Sequence, residues 1–321
     1  MAFVVSDLDN YGKEDRLPIL YKALFGGKTA GMLQAAGQVI PGIKTSDNLN
    51  ILDSEVFFQA NGCEPTTSGS TTFSKRTLSV GDIQVYETLC PKTLKTKWMQ
   101  TQMAAGSRGD NELPFAEQIG NEKIAKIAEA LESDIWTGTI AANQFDGYNT
   151  ILTALGFGGA GDPIEGNPST GGGWTKLTSL TVANIDDAIL KMINQAQAST
   201  DGKAILAKED RFFAMGVDTF LLYKQHLIAA NNYHYNPETG EQFMCIEPIT
   251  GTKVYGLPGL NGTDKIHFSY WSNYFIGTDL VGEEENFEFI NDPVKKNVVF
   301  NAEFKYGVQV AFPTQIVYFS L

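Results

Sequence analysis

The stretch from Leu113 to Gly138 limits the fold more than any other part of the sequence. Proline after Leu113 is tolerated in a first helical turn, and glycine at 138 is a typical helix stop. Between them, apolar side chains recur at helical spacing, at Ile119, Ile124, Ile127, Ala128, Leu131 and Ile135. The pattern predicts an amphipathic helix over 113–138, about 35 Å long, with one face buried.

The opposite face of this predicted helix is acidic. Residues 112–134 contain six acidic side chains against two lysines, a local charge of −4. The whole chain of 321 residues has 37 acidic and 24 basic side chains, which gives a formal charge of −13. Wrapping duplex DNA over a whole protein surface requires many lysines and arginines to displace counterions. The composition therefore excludes that class of DNA-wrapping protein.

A polar stretch between two predicted strands is the second informative feature. Residues 49–58 and Asp82–Leu89 carry the apolar and β-branched side chains that are typical of strands. The residues from Pro65 to Thr72 between them offer almost nothing to bury. The pattern predicts a projecting hairpin with a long polar tip. Because a two-stranded hairpin alone is only marginally stable in water, we expect it to lie on another surface.

The predicted hairpin is basic in an otherwise acidic chain. Residues 72–100 contain five basic side chains against two acidic ones, a local charge of +3. This inversion has two interpretations: the charge is simply solvated, or it meets an acidic surface on a neighbouring molecule, such as the long helix. On the second interpretation, the candidate contact residues between subunits are Lys75, Arg76, Lys92, Lys95, Lys97, Glu117, Glu122, Glu129 and Glu132.

The rest of the chain mixes helices and strands without a regular βαβ alternation. A glycine-rich loop covers 156–173, and the apolar spacing then predicts helices over 181–196 and 219–229. Lys203–Ala207 is predicted to be a short strand, and residues 298–319 are predicted to be almost entirely β. This arrangement predicts an α+β fold.

The sequence contains no recognisable catalytic, cofactor-binding or metal-binding motif. Gly156, Gly158 and Gly161 match a G-x-G-x-x-G pattern, but Asp162-Pro163 follows where a dinucleotide site needs a helix to begin. The three cysteines and three histidines have none of the spacings of a zinc site. No run approaches the ~20 apolar residues of a membrane helix. We expect no enzyme activity, no cofactor, no bound metal and no membrane contact.

The order of these features along the chain resembles that of one known family. The most specific segments are Leu113-Pro114-Phe115, Ile135–Gly138 and the tail from Val299 to Pro313, with Asp82–Lys97 as a further similar segment. An N-terminal arm, a polar-tipped hairpin, a long helix, a compact α/β unit and a β-rich C-terminus follow one another. In this order the chain resembles the major capsid proteins of tailed bacteriophages, the Hong Kong 97 type, over essentially its whole length.

The resemblance implies a division of the chain into four parts. In the family, the extended loop lies across an adjacent subunit, and the axial domains meet at the centres of hexamers and pentamers. The implied parts are an N-terminal arm (1–45), an extended hairpin loop (46–100), a peripheral domain (101–174 and 282–312) with its spine helix (113–138), and an axial domain (175–281 with 313–321).

The resemblance also implies a function. The chain is expected to be a structural virion protein that assembles in the host cytoplasm into an icosahedral head around packaged double-stranded DNA. Its expected partners are other copies of itself, a portal, decoration proteins and a separate scaffolding protein, since no scaffolding extension precedes the hairpin. DNA is expected only as a non-specific neighbour. Two alternatives stay open: another virion component, such as a minor capsid or tail-tube protein, and an enzyme with a pocket near the Gly156–Gly173 loop.

Overall fold

The structure is a computed structural model, and it describes residues 24–54, 58–59, 61, 69–89, 113–169, 175–230, 233–235, 242–244, 248–249, 251–279, 287–292 and 297–321. The helices are α1 (Lys28–Ala35), α2 (Leu113–Thr137), α3 (Ile140–Asn143), α4 (Tyr148–Leu155), α5 (Ile185–Ala198), α6 (Thr200–Leu206) and α7 (Val217–Ala229). The strands are β1 (Val39–Ile40), β2 (Ser46–Ser54), β3 (Thr71–Ser79), β4 (Gly81–Leu89), β5 (Ile164–Glu165), β6 (Arg211–Gly216), β7 (Tyr233–Tyr235), β8 (Gln242–Met244), β9 (Lys253–Leu257), β10 (Ile266–Tyr270), β11 (Tyr274–Thr278), β12 (Phe287–Asp292), β13 (Asn297–Val310) and β14 (Val317–Phe319).

The first sheet is built around β13, a strand of 14 residues. Over most of its length, buried and half-buried side chains alternate, as the period of two in a strand requires when one face meets a core. β4 pairs antiparallel with one edge of β13, and β12 and β11 pair with the other edge in succession. β1 extends the sheet by pairing in parallel with β11.

Helix α2 packs on this sheet through the apolar stripe that the sequence predicts. Ile124, Ile127, Leu131 and Ile135 are each at most 8% exposed and belong to the same core as the inward side chains of β13. Burial of such side chains stabilises the fold by roughly 1.5–3 kcal/mol each. The helix ends at Thr137, within one residue of the prediction, and a side chain at the following Gly138 would meet the Asp134 and Phe145 carbonyl oxygens at 2.5 and 3.0 Å.

The second sheet has the strand order β5-β14-β10-β6-β9 and packs against α5 and α7. The inward face of α5 is fully buried, as its apolar spacing predicts, with Ala188, Ile189 and Met192 at 0% exposure. Because consecutive strand side chains point to opposite faces, Phe212 of β6 enters the core of the first sheet and Phe213 enters that of the second. The two sheets therefore share β6 as a common wall.

The C-terminal end of α2 connects the two sheets. The buried Trp136 ring contacts the rings of Tyr148, Tyr274 and His267 at centroid distances of 5.3, 6.2 and 4.9 Å. Its indole N–H donates to the Thr29 hydroxyl at 2.9 Å, which brings in the N-terminal helix α1. His267 lies on β10 of the second sheet and Tyr274 on β11 of the first. One aromatic cluster thus fixes three parts of the fold against one another.

The hairpin forms with a different return strand from the predicted one. β2 pairs with β3, whereas β4, which contains the predicted return strand Asp82–Leu89, pairs with β13 in the first sheet. That part of the prediction is wrong. β3 has only Phe73 and Leu78 as large apolar side chains, so its composition resembles that of a loop, and β4 finds a longer apolar partner in β13.

Two further differences concern local structure. Lys203–Ala207 was predicted as a strand but lies mostly in helix α6, because Ser199 caps that helix and Gly202 packs closely on α5. The sheets also cross the expected domain ranges: β11, within 175–281, belongs to the first sheet, and β5, within 101–174, belongs to the second. The division into peripheral and axial domains itself stays a prediction.

Candidate assembly interface

The hairpin formed by β2 and β3 is a separate two-stranded sheet that packs on the first large sheet near its base. Nine antiparallel residue pairs join the two strands, and neither pairs with any other strand among the described residues. Its base is attached to the first sheet, where the Lys305 ammonium of β13 donates to the Lys44 carbonyl at 2.9 Å and Leu78 packs in one cluster with Phe275 of β11. There the Gln309 side-chain amide also donates to the Thr77 carbonyl at 2.8 Å. A two-stranded unit is only marginally stable alone, so the hairpin gains stability when its exposed face is covered.

The two faces of the hairpin differ in what they bury. Leu49, Ile51 and Leu78 share one face and are at most 9% exposed. Leu52 and Phe73 stand directly opposite each other on the other face and are 57% and 81% exposed. Two large apolar side chains side by side in water are typical of a contact surface. The second face is therefore the candidate interface on the hairpin.

The predicted basic residues have different surroundings. Lys75 is exposed on the same face as Phe73 and has no ion-pair partner among the described residues. Arg76 lies on the opposite face and is half-buried, and this burial lowers the pKa of its guanidinium. Lys75 is thus the better placed of the two for a contact with another molecule. Three of the predicted residues lie outside the described part of the chain: Lys92, Lys95 and Lys97.

Two of the predicted acidic residues, Glu122 and Glu129, are exposed on α2. The Lys126 ammonium donates to the Glu129 carboxylate at 2.7 Å, which lowers the pKa of the carboxyl and raises that of the lysine. An exposed pair of this kind contributes little to stability, so Glu129 can exchange its partner at small cost. The side chain of Glu117, in the first turns of α2, lies outside the described residues.

The assignment of Glu132 as a contact residue is corrected by the structure. Its side chain is 4% exposed, and its two oxygens accept hydrogen bonds from the Thr29 hydroxyl at 2.6 Å and the Thr29 N–H at 2.8 Å. Burial raises the pKa of this carboxyl, against the opposing effects of the Thr29 hydrogen bonds and the charge of Lys28. Glu132 follows the buried Ala128 by one helical turn, so it faces inward and ties α1 to α2 within one chain.

Ion pairs within the chain increase the charge contrast between the hairpin region and the helix. Lys123 of α2 pairs with Glu87 of β4, and Lys305 of β13 pairs with Asp82 of β4 at 2.8 Å. The two acidic side chains of the segment 72–100, Asp82 and Glu87, are therefore neutralised within the chain. Lys123, one of the two lysines of the acidic helix, is neutralised as well. What stays exposed on β3 is basic, and most of what stays exposed on α2 is acidic.

A groove of about 580 Å³ lies beside α2, between this helix, the turn at 26–28 and the turn at 258–261. From the helix it is lined by Asn121, Ile124, Ala125, Ala128, Glu129, Glu132 and Ser133. The Lys28 side chain at one wall is held by the Gly256 carbonyl, to which its ammonium donates at 2.7 Å. The groove thus combines apolar surface with an acidic side chain at its rim. It lies away from the Gly156–Gly173 loop, where the enzyme alternative expects a pocket.

The buried His267 is a group that could perform chemistry but is engaged in packing. Within the part of the chain that the structure describes, no three His, Cys, Asp or Glu side chains form a group that could hold a metal ion. Burial and the nearby charge of Lys265 lower the pKa of His267 to about 3. Its ring nitrogens contact the Asn149 side-chain oxygen at 2.7 Å and the Tyr274 hydroxyl at 3.2 Å. His267 is therefore neutral and enclosed in the core at neutral pH.

The membrane expectation can be compared with the helices directly. Among the residues that the structure describes, no helix has the length and apolar character needed to cross a bilayer.

Comparison with known proteins gives a match at the level of structure. No protein-family profile and no curated protein sequence matches this chain. The capsid of the empty GTA particle superposes with a TM-score of 0.54 at 14% identity, over 89% of this chain and 88% of that chain. A Gordonia phage Cozz chain superposes with a TM-score of 0.54 at 13% identity, over 90% of this chain and 86% of that chain. A chain of the satellite phage P4 procapsid including size determination (Sid) protein superposes with a TM-score of 0.53 at 11% identity, over 90% of each chain.

This chain has the Hong Kong 97-type capsid fold. The α+β class predicted from the sequence is confirmed, and so is the resemblance at the level of fold.

Sequence reasoning missed two features of the candidate interface in this Hong Kong 97-type chain. Once β3 is placed at 71–79, simple alternation puts Phe73 and Lys75 on one face, so the missing information was the strand assignment itself. The groove could not be found in this way, because it depends on the turn at 258–261 packing against α2 from far along the chain.

Proposed function

We propose that this chain is the major capsid protein of a tailed bacteriophage, which assembles into the hexamers and pentamers of an icosahedral head around packaged double-stranded DNA. One observation carries the proposal: the capsid chain of the empty GTA particle matches this chain over about nine tenths of both lengths, a range that includes the hairpin, the long helix and the β-rich C-terminus of this chain. A match of that extent leaves little of the chain for an unrelated domain.

In this proposal the four parts take the roles that their positions favour. The hairpin region within 46–100 is the extended loop that crosses a neighbouring subunit, and residues 1–45 are the N-terminal arm. The first sheet with α2 is the peripheral domain, and the second sheet with α5 and α7 is the axial domain that meets its copies at hexamer and pentamer centres. The boundaries follow the sheets, so β11 belongs with the peripheral part.

The hairpin explains why such a chain needs sister copies. Its exposed face carries apolar side chains and a lysine, while its other face and its base contact its own body. Covering that face with a neighbour removes apolar surface from water, and opposite charges on the two partners fix the register and speed the encounter. The exposed acidic side chains of α2 provide a surface of the matching sign.

The other partners follow from the same role. A separate scaffolding protein directs the assembly in the host cytoplasm, and a portal and decoration proteins complete the head. DNA lies next to the shell without specific contacts, since a net charge of −13 disfavours a tight grip on phosphate. The protein acts as a structural subunit without catalysis.

Electron microscopy of the purified or co-expressed protein tests the proposal. We expect closed shells built from hexamers, with pentamers at the vertices. Tubes or rings would instead identify a tail-tube or minor capsid component. A protein that stays monomeric under all assembly conditions would contradict every virion role.

Charge reversal gives a second test. Replacing Lys92, Lys95 and Lys97 together by Glu should abolish particle formation while the isolated chain keeps its thermal unfolding transition. Normal particles from this variant would remove the electrostatic part of the proposal.

A further inference from the structure

Strand β4 forms one edge of the first sheet, and this edge is open in the described part of the chain. β4 pairs with β13 over nine consecutive residue pairs, and no other described strand pairs with its second edge. In an antiparallel pair, alternate residues of an edge strand point their N–H and C=O groups away from the partner strand. β4 therefore offers a row of backbone donors and acceptors to another extended segment.

β4 lacks the features that usually protect such an edge, which are short length, proline, a bulge or outward lysines. It contains no proline and no lysine, and its register with β13 is continuous. Its two charged side chains, Asp82 and Glu87, are paired with lysines of the same chain. By contrast, β12 at the opposite edge of β13 is shorter and is followed by Pro293, Lys295 and Lys296. Of these two edges, that of β4 needs a cover.

The side chains of β4 indicate which kind of segment fits beside it. Ile83, Val85 and Leu89 pack against the core of the first sheet but are only partly buried. Tyr86, on the other face, is 64% exposed. Apolar and aromatic side chains on a neighbouring strand stabilise such residues as cross-strand pairs on both faces. The matching segment is therefore a short run of β-branched and aromatic residues.

The segment 1–23, which precedes the described part of the chain, contains such a run. Phe3, Val4 and Val5 are of the residue types most enriched in strands, and polar residues follow them as at a strand end. The other long segment outside the described residues, 90–112, has no three successive residues of these types. The N-terminal run is thus the better match in composition.

The period of two in a strand also fits the two faces of β4. Phe3 and Val5 share one face of an extended segment, and Val4 lies on the other. With Phe3 and Val5 beside Val85, the apolar row against the core is extended, and Val4 then covers Tyr86. Both faces of β4 gain an apolar neighbour in this arrangement.

The N-terminal run can reach β4 of its own chain. Helix α2 gives the scale, because its Glu132 contacts Thr29 near the start of the described chain and its Lys123 contacts Glu87 of β4. Nine residues of helix separate these two contacts, which is about 14 Å along the axis. The residues 6–23 span up to about 60 Å when extended. A tether of this length raises the local concentration of the run, so that it binds its own β4 in preference to that of a dilute second chain.

We propose that residues 2–6 of the unassembled chain add a strand to the free edge of its own β4 and so protect this edge from other chains. The occupant is the chain's own N-terminus because its composition, its alternation and the length of its tether all fit. The inference does not depend on the proposed function, since an open edge promotes aggregation of any chain with this sheet.

Photo-crosslinking from position 3 tests the contact. A photoreactive phenylalanine analogue replaces Phe3 in two preparations of the full chain, one with normal nitrogen and one labelled with ¹⁵N, which are mixed at high dilution. We expect cross-links to the peptide that contains 81–89, in which both peptides carry the same isotope. Cross-links to 81–89 with different isotopes would assign the strand to a second copy and overturn the proposal. Cross-links to other segments only would overturn the assignment to β4.

Hydrogen exchange of the unassembled chain tests the same pairing without a probe. Deletion of residues 2–6 should speed the exchange of the outward amides of β4 at least tenfold, because strand pairing protects amides from exchange. It should also increase aggregation measured by light scattering. Deletion of residues 8–12 is the matched control, since it removes five residues of the tether and keeps the run, and it should leave the exchange unchanged. Equal exchange in the wild type and the 2–6 deletion, or equal loss of protection in both deletions, would contradict the proposal.

Discussion

Lys123 on α2 and Glu87 on β4 form an ion pair that fastens the long helix to the edge strand of the sheet beneath it. Each is a minority charge in its own segment, a cation on the acidic helix and an anion in the basic stretch 72–100. Because the two neutralise each other within one chain, the charges that stay exposed for a neighbour are mostly of a single sign on each surface. The folded chain thereby separates the charges that hold it together from those available for assembly.

This separation predicts opposite phenotypes for two charge reversals in the same segment. Glu87→Lys places a second cation against Lys123 and should lower the free energy of unfolding by about 1 kcal/mol, since the pair is partly exposed. Lys75→Glu should leave that free energy within about 0.5 kcal/mol of the wild type and slow assembly instead. Chemical denaturation of the unassembled chain and light-scattering kinetics at low and high salt measure the two effects. A loss of stability in Lys75→Glu would contradict the separation.

The buried His267 predicts a specific loss of stability in acid. Its pKa is about 3 in the folded chain, and 6.5 is the ordinary value that it regains on unfolding. The unfolded chain therefore binds one more proton between these pH values, and stability falls by about 1.4 kcal/mol for each pH unit as pH decreases from 6.5 towards 3. His267→Gln should be less stable at pH 8, where ring packing is lost, but should have a flatter pH profile. Thermal denaturation between pH 7 and 4 measures how stability depends on pH. If His267→Gln keeps the pH dependence of the wild type, the assignment to His267 is wrong.

Glu132 predicts a pH dependence of the opposite sign. Its pKa is raised by burial, so between pH 4.5 and the raised value the folded chain binds more proton than the unfolded chain. Stability from this group is full below its ordinary pKa of 4.5 and decreases as pH rises through the raised folded value. Glu132→Ala should cost about 1–3 kcal/mol, because the Thr29 N–H and hydroxyl lose their acceptor.

The matched control for Glu132 lies three residues earlier on α2, on the side of the helix that meets water. Glu129→Ala removes an exposed carboxylate and should change the free energy of unfolding by no more than about 0.5 kcal/mol. Equilibrium denaturation over a pH series distinguishes the two variants. Equal effects at positions 129 and 132 would show that Glu132 is not the buried connection to α1.

Gly259 predicts a strong steric effect where the second sheet meets α2. A side chain at this position would collide with the Glu132 carbonyl and the Trp136 ring, so Gly259→Ala should destabilise the chain by about 1–3 kcal/mol. Gly31→Ala serves as the control. Its nearest atom would be the Phe25 carbonyl at 3.5 Å, and alanine inside helix α1 should add about 0.5–1 kcal/mol. Melting temperatures check both expectations: Gly259→Ala should melt below the wild type and Gly31→Ala above it.

The sequence was sufficient where a pattern is local and repeated. The stripe from Ile124 to Ile135 defines α2 within one residue of its predicted end, and the alternation along 298–310 defines β13. The sequence was insufficient for strand pairing, because β4 could pair either with the hairpin strand or with β13. The structure shows that it pairs with β13, the longer apolar partner. Glu132 was misplaced for a related reason: a carboxylate can be buried when a distant residue such as Thr29 supplies two donors, and no local pattern reports that donor.

In the proposed function, this chain reaches its working form by lying over copies of itself. A high-resolution electron cryomicroscopy reconstruction of the assembled particle measures this directly. We predict that residues 46–79 of each chain contact the α2 region of a sister chain. A particle in which this segment folds back on its own body and touches no sister chain would contradict the account.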